Sequence, residues 1–133
     1  MEEQIIYKAI KALDEMVGLK SRWYASLKNK AFDGRMEIKH NNQKYSFPTI
    51  VKKDIKNVQL VNFLSLRETT PDLIIVADSI YPAIREQLRK MQINYIDSAG
   101  NCSIRKDAWI ILQEGFKSDS PLTIPKPASF SKT

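Results

Sequence analysis

The chain has one cysteine, Cys102, and one histidine, His40. A lone cysteine closes no internal disulfide, and no Cys/His cluster exists to hold zinc, which excludes a cross-linked secreted scaffold and a zinc module. A reducing cytoplasm is the expected setting, with no cofactor and no metal. The same scarcity leaves no Ser-His-acid or Cys-His arrangement, so no catalytic residue is assigned. The four glycines, Gly18, Gly34, Gly100 and Gly115, are too scattered to build a phosphate-cradling loop. No apolar run approaches the roughly 20 residues of a membrane span, and the N-terminus is charged rather than signal-like. No membrane partner is expected.

What the chain does have is localised positive charge. The net charge is +6 over 133 residues. Residues 20–56 alone carry ten basic and three acidic groups, or +7, while residues 1–19 carry −2, residues 57–116 carry −1 and residues 117–133 carry +2. A basic segment of this kind is either a solvated surface or the electrostatic footprint of a polyanion partner. Within it, Arg35 to His40 alternates, Asn41-Asn42 forms a bend, and Lys44 to Lys53 returns with Tyr45, Phe47, Ile50 and Val51 apolar. Pro48 marks an edge or a bulge in that return strand. The candidate nucleic-acid contact residues are Arg35, Lys39, Lys44, Lys52, Lys53 and Lys56. His40, beside the bend and without a partner in sequence, reads as a solvent-exposed turn residue. Lys20 to Lys30 is also basic and carries Trp23 and Tyr24, which either stack on bases or pack on the domain itself.

The remaining segments supply an α/β scaffold. Residues 2–18 have the spacing of an amphipathic helix, with Ile5, Ile6, Ala9, Ile10, Leu13, Met16 and Val17 on one side and Gly18 as a stop. Asn57 to Arg67 reads as a second helix whose apolar side includes Val58, Val61 and Leu64. Leu73 to Ala77 is a buried strand, Pro82 opens a helix through Met91, and Ile93 to Ile96 is another strand. Strand, helix and strand on this scale form a parallel crossover unit. Two short strands follow, Cys102 to Arg105 and Trp109 to Leu112. The expected architecture is a mixed sheet flanked by helices in the order α-ββ-α-β-α-β-β, forming one domain over residues 1–116. A Pro/Ser-rich tail or linker occupies residues 117–133.

A helix, a β-hairpin, a helix and a strand also follow the core order of PD-(D/E)XK nucleases, which need paired carboxylates for Mg²⁺ and a lysine near the attacking water. Asp33 and Lys53 could supply one acid and the lysine. The second acid is missing, because Val51 and Ile50 stand two residues before Lys53 and Lys52. The expectation is a restriction-endonuclease-like core without a complete active site. The alternative is a divergent Mg²⁺-dependent nuclease that draws its second acid from elsewhere, such as Glu37.

The segment Ile93-Asn94-Tyr95-Ile96-Asp97, continued by Ala99-Gly100-Asn101, resembles the N-terminal domain of AbiEi-type antitoxins, transcriptional regulators of type IV toxin–antitoxin systems. The basic hairpin ending at Lys52-Lys53 and the Pro-rich tail are similar to the family as well. The resemblance implies a bacterial, non-enzymatic regulator that binds nucleic acid or a cognate toxin protein. Longer relatives continue into a winged helix-turn-helix where this sequence stops, which fits either a naturally short form or a fragment, so operator reading is not carried over. For Asp97, Gly100 and Asn101 two roles stand open: a self-satisfied turn, or a polar site at the carboxyl end of a strand, where open α/β sheets bind ligands. A third functional reading is association with a partner protein through the sheet edges.

Overall fold

Leu73 to Ala77 is buried at every position, and its residues alternate between two cores. That is the signature of a central strand covered on both faces. In the computed structural model, which describes residues 2–26, 31–106 and 109–116, the strand is the middle of a seven-stranded sheet. The elements run α1 (Glu2–Ala12), β1 (Lys20–Ala25), β2 (Gly34–His40), β3 (Gln43–Lys52), α2 (Asn57–Thr69), β4 (Ile74–Ala77), α3 (Pro82–Lys90), β5 (Asn94–Asp97), β6 (Cys102–Lys106) and β7 (Trp109–Gln113). Strands neighbour each other in sequence order: β1, β2 and β3 pair antiparallel, β3, β4 and β5 parallel, and β5, β6 and β7 antiparallel. The fold is mixed α/β, as the sequence leads one to expect, and its seven strands include one that no segment of the sequence reading names. Lys20–Ala25, read only as a basic segment, is β1.

The two parallel connections advance in the same direction. Right-handed crossovers of that kind place their helices on one face. Accordingly α2 and α3 share a core of Ile50, Ile55, Leu60, Phe63, Ile75, Ile84, Leu88 and Tyr95. The opposite face receives α1, whose Ile5, Ile6 and Ala9 pack with Met36, Ile38, Phe47, Val51, Ile74, Val76 and Ile96. Helix α1 is shorter than its apolar spacing suggests. Leu13 to Val17 forms a wider π-type turn, and Gly18, at φ 83°, ends it.

Helix α2 corrects the sequence reading. Val58 and Val61, expected on the buried side, are 79% and 73% exposed, and Leu64 is exposed too; Leu60 and Phe63 are the buried pair. The hairpin turn is as expected. Asn41 and Asn42 both have positive φ, 51° and 64°, as a two-residue type I′ turn requires. Pro48 sits on β3 just before parallel pairing with β4 begins at Thr49, so its missing N–H interrupts no ladder on that side.

The far end of the sheet curls around the α1 side. Trp109 of β7 stacks on His40 at 4.5 Å and meets Tyr45 and Phe47 edge-on at 5.3 and 6.5 Å. His40 is therefore half-buried against an indole, not the solvent-exposed turn residue expected. Residues 117–133, read as a tail, lie outside the described residues.

Candidate nucleic-acid interface

Successive residues of a strand point to opposite faces, and in the meander β1–β2–β3 this alternation sorts residues by chemistry. One set, Trp23, Met36, Ile38 and Phe47, packs on the α1 side. The other set forms three cross-strand rows, Lys20–Lys39–Lys44, Arg22–Glu37–Ser46 and Tyr24–Arg35–Pro48. These rows lie on the side that α2 and α3 occupy further along the sheet, and among the described residues no element covers them. Lys20, Arg22, Tyr24, Arg35, Lys39, Lys44 and Ser46 are exposed. Five cations face one carboxylate.

Two of those cations have carboxylate partners. Lys20 Nζ lies 2.8 Å from Asp14 Oδ1, and Arg35 lies 3.8 Å from Glu37. The first pair is solvent-exposed and the second is a long contact to a half-buried Glu37, so both contribute little to stability. Among the described residues, Arg22, Lys39 and Lys44 have no carboxylate within ion-pair distance. A shallow depression of about 410 Å³ runs between Lys20, Arg22, Glu37, Lys39 and Lys44. A second, of about 460 Å³, is lined by Tyr24, Phe32, Gly34, Arg35, Pro48 and Thr70, where the C-terminal end of α2 borders the face. The Arg35 guanidinium carbon stands 4.2 Å from the Tyr24 ring centroid, a cation–π contact.

The six contact residues read from sequence divide into two groups. Arg35, Lys39 and Lys44 belong to this face, joined by Lys20 and Arg22, which the sequence reading did not single out. Their signal was the alternation Lys-x-Arg-x-Tyr over residues 20–24. Lys52, Lys53 and Lys56 do not belong to it. Lys52 ends β3, eight residues beyond Lys44, or about 26 Å along the strand. There the Lys52 and Lys53 carbonyls accept the Asp78 and Ser79 N–H groups at 3.2 Å, and Gln59 Oε1 accepts the Lys56 N–H at 2.8 Å.

Trp23 and Tyr24 point to opposite faces of β1. Trp23 packs into the α1-side core, over Gly34, where a Cβ would lie 2.4 Å from the indole and 2.5 Å from the Tyr24 carbonyl oxygen. Tyr24 faces outward.

The acids considered for metal chemistry are apart. Asp33 Oδ2 accepts the Val51 N–H at 2.7 Å, which engages that oxygen in the hairpin backbone. Glu37 lies four residues further on, about 13 Å along an extended strand, too far to share an ion with Asp33. Among the described residues no cluster of three or more His, Cys, Asp or Glu could hold a metal.

Asp97, Gly100 and Asn101 form a self-satisfied turn. Asp97 Oδ1 accepts the Ala99 and Asn101 N–H groups, each at 2.9 Å, and Oδ2 accepts Asn101 Nδ2 at 2.8 Å. Asn101 also grips Phe116: its Nδ2 donates to the Phe116 carbonyl at 2.9 Å, and its Oδ1 accepts the Phe116 N–H at 3.0 Å. Gly100 sits at φ 105°. Arg85 completes the arrangement. Its Nε donates to Glu114 Oε1 at 2.7 Å, its Nη1 to the Ile80 carbonyl at 2.7 Å, and Nη1 lies 3.7 Å from Asp97 Oδ2. Glu114 further accepts the Tyr95 hydroxyl and lies 3.3 Å from Arg89. Burial pushes the Asp97 carboxyl up, against the pull of Asn101, Ala99 and Arg85, and likewise raises the Tyr95 phenol. Asp97 and Asn101 are fully buried, and Asn101 ties the chain after β7 to this turn.

Comparison of the chain with protein-family models, with curated proteins and with solved structures finds no match.

Proposed function

We propose that the chain is a non-catalytic, antitoxin-like regulatory module that binds nucleic acid through the open face of β1–β3. The observation that carries this reading is the row Lys20–Lys39–Lys44, in which like charges stand directly opposite one another on adjacent strands. Such pairs are destabilising in the free protein. They become favourable when phosphates lie over them and release their counterions. The resemblance of residues 93–101 to AbiEi-type antitoxins supports a regulatory setting, and the engagement of Asp33 with the backbone favours binding over metal-dependent cleavage.

The test is a fluorescence-anisotropy titration with a labelled oligonucleotide. Three unpaired cations, each neutralising one phosphate, weaken binding about 20- to 40-fold between 50 and 200 mM salt. Absence of binding at 50 mM salt refutes the proposal. Mg²⁺-dependent cleavage of the probe, lost in Asp33→Ala, would instead favour the nuclease alternative.

A second reading, association with a partner protein, draws on β7. Ile110 and Leu112 are 56% and 52% exposed there, and among the described residues only β6 pairs with that strand. Unpaired apolar edges are templates for strand addition. A monomeric mass in solution, unchanged by a cognate partner co-expressed from the neighbouring gene, counts against it.

A further inference from the structure

The open face is chemically divided along its length. Four of the five cations occupy the end near the hairpin turn, whereas the Tyr24–Arg35–Pro48 row, four residues or about 13 Å from Lys20, sets the fifth between an aromatic ring and a proline. A charged face made only to hold phosphates has no use for that second half.

Resting on the nucleic-acid reading above, we propose that the ligand is single-stranded, with an unpaired base stacked on the Tyr24–Arg35 pair while its neighbouring phosphates lie over Lys39, Lys44 and Arg22. Three features support this assignment. The Arg35 guanidinium already lies over the Tyr24 ring at 4.2 Å, so two flat groups present a preformed stacking platform. Arginine planes and tyrosine rings are both surfaces on which splayed bases stack. Beside the platform, Phe32, Pro48 and Thr70 wall a depression of about 460 Å³, within the size range of small-molecule pockets, which offers an edge-on seat for the base. Finally, the face is three strands wide. A major groove about 12 Å across admits a helix or a two-stranded ribbon, and a duplex keeps its bases stacked inside, out of reach of Tyr24. The platform carries no row of amide side chains for reading base edges, so stacking favours any unpaired base, in DNA or RNA.

The full chain is titrated by anisotropy with a 15-nucleotide single strand, as DNA and as RNA, and with the same DNA annealed to its complement. The single strands are expected to bind at least tenfold more tightly than the duplex. Tyr24→Ala is expected to weaken single-strand binding about five- to a hundredfold, the range for losing one stacked base, and to weaken duplex binding by less. Tyr24→Phe retains the ring and is expected to restore binding. Tyr24 is exposed, so its substitution leaves the fold intact, which a thermal melt verifies. Equal affinity for single strand and duplex, or an equal loss on both in Tyr24→Ala, overturns the single-strand assignment while leaving the nucleic-acid reading in place. Binding to neither probe overturns both. A preference between the DNA and RNA strands identifies the natural polymer and supports the assignment in either direction.

Discussion

At the scale of single residues, two positions carry consequences that their sequence context does not announce. Gly34 stands on β2 under the Trp23 indole, with no room for even a methyl group. Gly34→Ala must displace the ring or the Tyr24 backbone, an overpacking expected to cost about 1–3 kcal/mol in chemical denaturation. Cys102 is fully buried, and burial pushes its thiol up from 9.0 to about 12. The unfolded thiol ionises first as pH rises, so the stability linked to Cys102 is intact below pH 9 and is lost between pH 9 and about 12. In that window the native chain should lose about 1.4 kcal/mol per pH unit through this group, and Cys102→Ala should abolish that share of the alkaline slope. Denaturation curves of both proteins at pH 8, 9 and 10 check it. Asp97 and Asn101 show how far a residue-level reading reaches. Their types and spacing identify a polar turn, but only the fold brings Phe116 into bonding distance of Asn101, fifteen residues away.

At the scale of elements, the strongly patterned segments were legible and the weakly patterned ones were not. Leu73 to Ala77, the Pro82 helix and the Asn-Asn hairpin each carry their own local signal and form where the sequence places them. Helix α2 has apolar residues around most of its circumference, so periodicity could not choose a face. Packing against the sheet and α3 chose it, burying Leu60 and Phe63 and leaving both valines and Leu64 outside. Val61→Lys should therefore change stability by less than about 0.5 kcal/mol, while Phe63→Ala should cost about 3–5 kcal/mol. Similar effects from the two substitutions would show that the face is wrongly assigned. Strand β1 was missed because its inward side offers only Ser21, Trp23 and Ala25, too little alternation to distinguish from a basic loop. Its outward side is polar because nothing described packs on it. The same property hid the strand and made it half of the candidate site.

At the scale of the molecule, topology creates the open face proposed as the interface. Crossovers in one direction commit α2 and α3 to one face over β3, β4 and β5, and α1 covers the opposite face. The helix-side surface of β1, β2 and the first half of β3 is left open, and five of the ten basic residues of 20–56 lie there. The charge count located the segment but not the surface, because Lys44 and Lys52 are neighbours in composition and opposite ends of a ten-residue strand in space. The most direct measurement is the salt dependence of oligonucleotide affinity in three proteins: the native chain, Lys39→Ala with Lys44→Ala, and Lys52→Ala with Lys53→Ala. With the interface on the open face, the first double substitution lowers the slope of log affinity against log salt by about 1.4 to 1.8, and the second leaves it unchanged. A slope lowered only by the Lys52 and Lys53 substitutions, or by neither pair, contradicts the account.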